Sequence, residues 1–225
     1  MGKRRPRGLK TRDDLVVAAL SVADEIGVEA LTIRAVAERA DLAPMSVYSR
    51  VDNKEHLLDL MYQEVALRLY ADSGNATWQA EYAVLCQQIR RTLLQHPNWV
   101  PLLARPAPAM SVPLRDRLLD LMTHDGFSIE QAFGAINHAG LMCIGFALVE
   151  LTFRDATGAS ALEKRYERLE QWTQEVENDG PDSLTRIAVA RAGRFDLEAQ
   201  FTQAIRICIS GLEAQRGAPP GSAST

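Results

Sequence analysis

The chain has 225 residues, 47% of them hydrophobic and 24% charged, a balance that excludes a mainly disordered chain and a collagen-like repeat. At ~100–200 residues per domain it holds one large domain, or one large and one small, and can bury a core without disulfide staples. Its net charge of −4 would argue against a nucleic-acid partner only if the charge were evenly spread, and it is not.

Lys3, Arg4, Arg5, Arg7, Lys10 and Arg12 give residues 1–12 six cations and no acid, which leaves −10 for the remainder. A basic arm therefore precedes an acidic body, either as a solvated tail or as a nucleic-acid contact. Cys86, Cys143 and Cys208 are spaced by 57 and 65 positions, so they form no CxxC pair or zinc ladder and suit buried thiols in a reducing cytosol. The positive N-terminus is not followed by a signal-type apolar stretch, and Pro6 stands where an acylation motif wants Ser or Thr. The longest apolar run, 139–149, is 11 residues, too short to cross a bilayer. A cytoplasmic protein with no membrane partner is expected.

Alternation of period 2 persists nowhere, while the 3.6-residue period is widespread, so an all-α fold is predicted. Leu15, Val16, Ala19, Leu20, Ala23 and Ile26 form one face of a first helix, with Thr11 and Asp14 as a capping box and Gly27 as its stop. Thr32 caps a short second helix, Ile33 to Ala40, and Pro44 opens a third that ends near Arg50. Asp52 with Glu55 caps a fourth, whose apolar stripe is Leu58, Met61, Val65 and Leu69. After a turn-rich break at 72–77, a helix runs from about Trp78 to Gln95. Five prolines between 97 and 113 cut the next stretch into short pieces. Residues 114–125 form a helix ended by Gly126, and Ser128 with Gln131 boxes the start of a long one reaching Phe153. A charged helix over 161–177 and a last helix over 197–215 complete the set, and the Gly/Pro/Ser-rich tail is predicted to be disordered.

Residues 31–54 read LTIRAVAERADLAPMSVYSRVDNK. A short helix, the turn Asp41–Leu42–Ala43 and a second short helix make a helix-turn-helix, whose second helix enters the major groove by its N-terminal end. Val36, Ala37, Ala40, Leu42, Val47 and Val51 would pack on Leu20 and Ala23, leaving Arg34, Met45, Ser46, Ser49 and Arg50 outward. Short helix pairs are also common as plain structure. The competing reading is therefore an all-α small-molecule-binding protein or enzyme in which this pair is structural. No Ser/His/Asp grouping, paired-carboxylate spacing, HExxH or phosphate loop supports an enzyme, and the four histidines are scattered. No catalytic residue, metal or cofactor is expected.

The alanine-rich helix and turn, then Tyr48, Asn53-Lys54-Glu55 and Leu57-Leu58, together with the first helix ending at Gly27 and Leu31-Thr32-Ile33-Arg34, resemble the TetR family of bacterial transcription regulators. Two positions depart from its pattern. Asp41 stands where the turn often carries Gly, a place Asp tolerates, and Ala43 stands where a capping residue is frequent. The resemblance implies phosphate contacts from Tyr48 and Lys54, with a packed tyrosine as the other reading for Tyr48. Thr32 both caps and meets backbone. Arg34 and Arg50 suit guanine edges, although Arg50 also suits a surface pair with Asp52. Pro44 and Met45 suit thymine methyls, Ser46 and Ser49 complete the face, and Lys3, Arg4 and Arg5 would follow phosphates or enter the minor groove.

Further on, Leu103-Ala104-Arg105-Pro106, Gly126-Phe127-Ser128, Gly145-Phe146-Ala147-Leu148 and the closing helix from Phe201 to Leu212 resemble the tetracycline-repressor-like C-terminal subgroup. That likeness implies that the long helix and the last helix pair with a second subunit. Ala132, Ala135 and Ala139 would allow close approach there, with Ile205, Ile209 and Leu212 as the apolar face; intrachain packing would explain the same residues. A pocket is expected between the helices, with Trp99, Leu103, Met110, Leu121, His138, Met142, Phe146, Glu150 and Trp172 as candidate lining, each also explicable as core or rim. Pro101 replaces the histidine of the magnesium–drug site in tetracycline-sensing members, so that metal site is not carried over.

The expectation is a ligand-responsive regulator, most simply a repressor, that binds a pseudo-palindromic double-stranded DNA operator as a homodimer and is released by a small apolar effector. Its parts are a flexible arm (1–12), a helix-turn-helix domain (13–58), a larger C-terminal helical ligand-binding and dimerisation domain (59–215) and a tail (216–225).

Overall fold

The structure, a computed structural model, describes residues 11–69, 74–105, 115–153 and 196–216. Residues 1–10 of the basic arm, Met110, the 161–177 helix with Trp172, and the tail from Gly217 lie outside them, while Arg12, expected in the arm, opens the first helix. Among the described residues every regular element is helical. In chain order these are α1 (Arg12–Ile26), α2 (Ile33–Arg39), α3 (Pro44–Tyr48), α4 (Lys54–Leu69), α5 (Trp78–Gln95), a 3-10 turn (Pro97–Trp99), α6 (Val100–Leu103), α7 (Arg115–His124), α8 (Ile129–Phe153) and α9 (Leu197–Gln215). The all-α architecture follows the 3.6-residue period of the sequence.

The helix starts are set by local chemistry. The Asp14 amide donates to Thr11 Oγ1 at 3.2 Å while Asp14 accepts from the Thr11 amide at 2.8 Å, completing the predicted capping box. Ser128 and Gln131 make the same reciprocal pair before α8, at 3.2 and 2.8 Å. Thr32, Thr77 and Asp196 cap α2, α5 and α9. The start of α4 differs from expectation. Asn53 Oδ1 accepts from the His56 amide at 2.8 Å, so Asn53 caps it, while the Asp52 carboxylate lies 2.9 Å from His56 Nδ1. Here α3 also stops at Tyr48, two residues early, with Ser49 as its C-cap.

The chain divides into two compact units, with the boundary inside α8 between Ile144 and Gly145. In the first unit α1 packs on α2 and α4, α2 on α3, and α4 in turn on α5 and α6. Leu15, Ala19, Ala23, Val36, Ala37, Val47 and Leu57 are fully buried at the centre of this N-terminal cluster. Arg39 ties α2 to α1 by donating to Ser21 and Glu25. Trp78 of α5 donates from its indole to Asp125 at 2.7 Å and meets Phe127 edge-on at 5.2 Å, fixing α5 against the α7–α8 corner. The boundary expected between residues 58 and 59 falls inside α4, a single helix that packs on both α1 and α5.

In the second unit Phe146 meets Phe201 edge-on at 5.1 Å, and Phe201 and Ile205 of α9 are buried. Along α8 an 18-residue window within Ile129–Thr152 has a mean hydropathy of 1.7, so by length and composition alone this helix could cross a membrane.

Candidate nucleic-acid interface and ligand cavity

The helix-turn-helix is built by an apolar interior and a strained turn. Asp41 takes φ 53°, the left-handed value the sequence demanded of it, and its amide donates to Glu38 at 3.1 Å. The Leu42 amide then reaches Ala37 at 2.9 Å, which turns the chain into α3. Pro44 occupies the first turn of α3, and Ala43 supplies no side-chain cap.

Val47 is the buried residue of α3; Met45 is 78% exposed and Tyr48 51%, with Pro44 and Ser49 also exposed and Ser46 half-buried. The exposure of Tyr48 leaves its hydroxyl available to an outside partner. Arg50 folds back on the end of α3, donating to the Ser46 carbonyl at 2.5 Å and Ser49 Oγ at 3.1 Å. A guanidinium suits the carbonyls at a helix end. Asp52 lies 2.9 Å from His56 Nδ1. Arg34 is exposed and pairs with Glu38 one turn on, at 3.2 Å. Lys54 donates to the Glu29 carbonyl at 3.0 Å, pinning the start of α4 to the α1–α2 turn. Thr32 caps α2 through the Ala35 amide at 3.1 Å and is otherwise exposed.

A cavity of about 380 Å³ lies in the same unit, within the usual size range of small-molecule sites. It is lined by Tyr62 and Leu69 of α4, Ile89 of α5, Leu103 and Arg105 at and after α6, and Ile136, Asn137, Gly140, Leu141 and Ile144 of α8.

Two family models match the chain: "Tetracyclin repressor-like, C-terminal domain" over residues 71–216 and "Bacterial regulatory proteins, tetR family" over residues 15–61. The chain belongs to the TetR family of bacterial transcriptional regulators. An HTH-type transcriptional regulator of Saccharopolyspora erythraea is 28% identical over 223 residues, covering 95% of this chain and 89% of the relative. The class A tetracycline repressor of Escherichia coli is 26% identical over 207 residues, covering 90% of each. Among solved structures, the TetR family protein ActR of Streptomyces coelicolor, in complex with actinorhodin, has a TM-score of 0.70 at 22% identity, covering 93% of this chain and all of that one.

The cavity has a different lining from the one read in the sequence. Among the candidates within the described residues, Leu103 lines it. Trp99 is buried outside the lining, stacked on His96 at 3.8 Å with Arg68 above it. Leu121 and Met142 are half-buried elsewhere, His138 is exposed, and Phe146 and Glu150 belong to the second unit. Tyr62, Ile89, Arg105, Ile136, Asn137 and Gly140 were missed. The expectation took one stripe of α8, His138 and Met142, and the cavity takes the adjacent one, 137, 140–141 and 144. Apolar residues run all round α8, so their spacing does not fix which stripe faces inward.

Ala132, Ala135 and Ala139, expected between subunits, are instead buried within the chain. Their three- and four-residue spacing puts them on one inward stripe. Ile129, Phe133, Leu141 and Leu148 are the exposed large residues of α8, with Val149. On α9, Ile205 is buried, Ile209 and Leu212 are half-buried and Ile207 is 62% exposed.

Proposed function

We propose that this chain is a ligand-responsive repressor that works in the cytoplasm as a homodimer and binds a pseudo-palindromic DNA operator. The observation that carries the reading is α4. One continuous helix begins immediately behind the helix-turn-helix, held there by Lys54, and ends as a wall of the cavity at Tyr62 and Leu69. A small, mainly apolar effector in that cavity displaces α4 and releases the DNA, because it binds more tightly to the chain in the released arrangement.

Residues 13–58 serve as the reader and 59–215 as the effector-binding and dimerising body, flanked by the arm and the tail. Met45, Tyr48 and Ser49, with Pro44, Ser46 and Thr32, form the DNA face. Arg34 reads a base edge, Lys54 and the arm cations Lys3, Arg4 and Arg5 meet phosphates, and Arg50 orders the end of α3. Two such readers reach successive major grooves ~34–36 Å apart. The exposed apolar residues of α8 and α9 call for a cover, which a second copy supplies. No catalytic activity and no metal or cofactor is assigned to the chain.

The test is a mobility-shift titration of the full chain on the DNA upstream of its own gene. Retardation that survives excess unrelated duplex supports the reading, and retardation abolished by any competitor sinks it.

A further inference from the structure

Arg105 stands between two environments. It lines the cavity, and its Nη2 donates to Glu55 Oε2 in the first turn of α4. The other lining residues are neutral, with the Tyr62 phenol and the Asn137 amide as their polar side-chain groups. A guanidinium at the wall of an apolar cavity needs an anionic partner. Its present partner faces water: the Glu55 side chain is 68% exposed and that of Arg105 is 32% exposed.

That asymmetry matters for what enters the cavity. An exposed carboxylate loses little when it returns to water, and Glu55 would remain at the N-terminal turn of α4, where the helix dipole favours an acid. A ligand anion at the cavity wall would meet the same guanidinium where it is two-thirds shielded from water, in a charge-assisted, two-pronged contact of the stronger kind.

We propose that the effector is an apolar molecule bearing one acidic group, a carboxylate, sulfonate or phenolate, which Arg105 takes in exchange for Glu55. This deepens the function proposed above and rests on it. Arg105 selects the charge, the apolar wall takes the body, and the opening of the Arg105–Glu55 bridge reports occupancy to the start of α4.

The experiment titrates the full chain with two fluorescent probes that share one ring system. One is 8-anilinonaphthalene-1-sulfonate and the other its neutral counterpart, N-phenyl-1-naphthylamine. Both are expected to bind at one site per chain. Arg105→Gln should weaken the sulfonate about 10- to 100-fold and leave the neutral probe within about twofold. Glu55→Gln should tighten the sulfonate about two- to fivefold, the strength of an exposed bridge, with the neutral probe left within about twofold, a split that partial unfolding, which exposes apolar surface to both probes, does not produce. Gly140→Trp should exclude both probes, since a side chain there has open space to fill.

An unchanged ratio of the two affinities in Arg105→Gln, or a weaker sulfonate in Glu55→Gln, overturns the acid-for-Glu55 exchange while leaving the cavity reading intact. If neither probe saturates, or Gly140→Trp displaces neither, the cavity reading itself fails.

Discussion

Trp99 lies face to face with His96, ring centroids 3.8 Å apart and planes 6° from parallel, while its own indole N–H has no hydrogen-bond partner among the described residues. Trp78, equally buried, donates to Asp125. The two tryptophans should therefore respond differently to the same substitution. Trp99→Phe keeps a ring on His96 and removes an unpaired buried donor, so it should change stability by less than about 1 kcal/mol. Trp78→Phe removes one charge-assisted hydrogen bond to the Asp125 carboxylate and should cost about 1.5–3 kcal/mol. Urea unfolding of both variants measures the contrast, and equal destabilisation would contradict it.

Asp41 holds the turn of the helix-turn-helix at φ 53°. Asp41→Gly should be tolerated within about 1 kcal/mol, and Asp41→Val should cost about 1–3 kcal/mol because a β-branched residue is strained there. Thermal unfolding checks the order; Val matching Gly would mean the turn relaxes.

Arg34 and Lys54 separate binding from folding. The Arg34–Glu38 pair is exposed on both sides, so Arg34→Ala should move stability by less than about 0.5 kcal/mol while costing about 1–3 kcal/mol of operator binding. Lys54→Met also removes the bond to the Glu29 carbonyl, so it should lower both stability, by about 1 kcal/mol, and affinity. Melting curves set beside fluorescence anisotropy on labelled operator distinguish the two patterns.

Removing residues 1–8 takes away Lys3, Arg4, Arg5 and Arg7. Operator affinity should fall for all sequences alike, and the plot of log affinity against log salt should flatten by about 0.9 for each phosphate that the arm neutralises. An unchanged slope would take the arm off the DNA.

The thiols offer a test of the core. Cys86 and Cys143 are fully buried, and Cys143 Sγ donates to the Cys86 carbonyl at 3.5 Å. Hydrogen bonding with Cys143, and then burial, push the Cys86 thiol above its usual range, which suppresses the reactive thiolate. Native protein should react with Ellman's reagent at no more than one thiol, the half-buried Cys208, and unfolded protein at three. Fast reaction at Cys86 would mean the α5–α8 packing opens readily.

The residues that announced themselves in the sequence are those whose role is local. Thr11 with Asp14, Ser128 with Gln131, Gly27 and Asp41 each act within a few positions, and each does in the structure what its type and spacing demand. The start of α4 falls one residue beyond the expected cap because Asp52 and Asn53 are both competent caps, and in the structure the Asp52 carboxylate meets the His56 ring while Asn53 accepts from the His56 amide. The cavity was legible only at Leu103. Its lining joins α4, α5, the α6 end and α8, and the stripe of α8 that faces it is chosen by tertiary packing, not by an apolar pattern that runs round the whole helix. Arg105 carries no such signal in the sequence, since nothing in its neighbours hints at Glu55, 50 positions away.

The length of α4 sets the scale of any signal it carries. Its 16 residues form a rod about 24 Å long, with Leu69 at one end and Lys54 at the other. A tilt of about 5° pivoting at Leu69 sweeps the far end through about 2 Å, by the same helix geometry. Base-edge hydrogen bonds tolerate only a few tenths of an ångström. A molecule that shifts the helix by about 1 Å at Tyr62, about 10 Å from that pivot, is therefore amplified about twofold into a misfit the operator can feel.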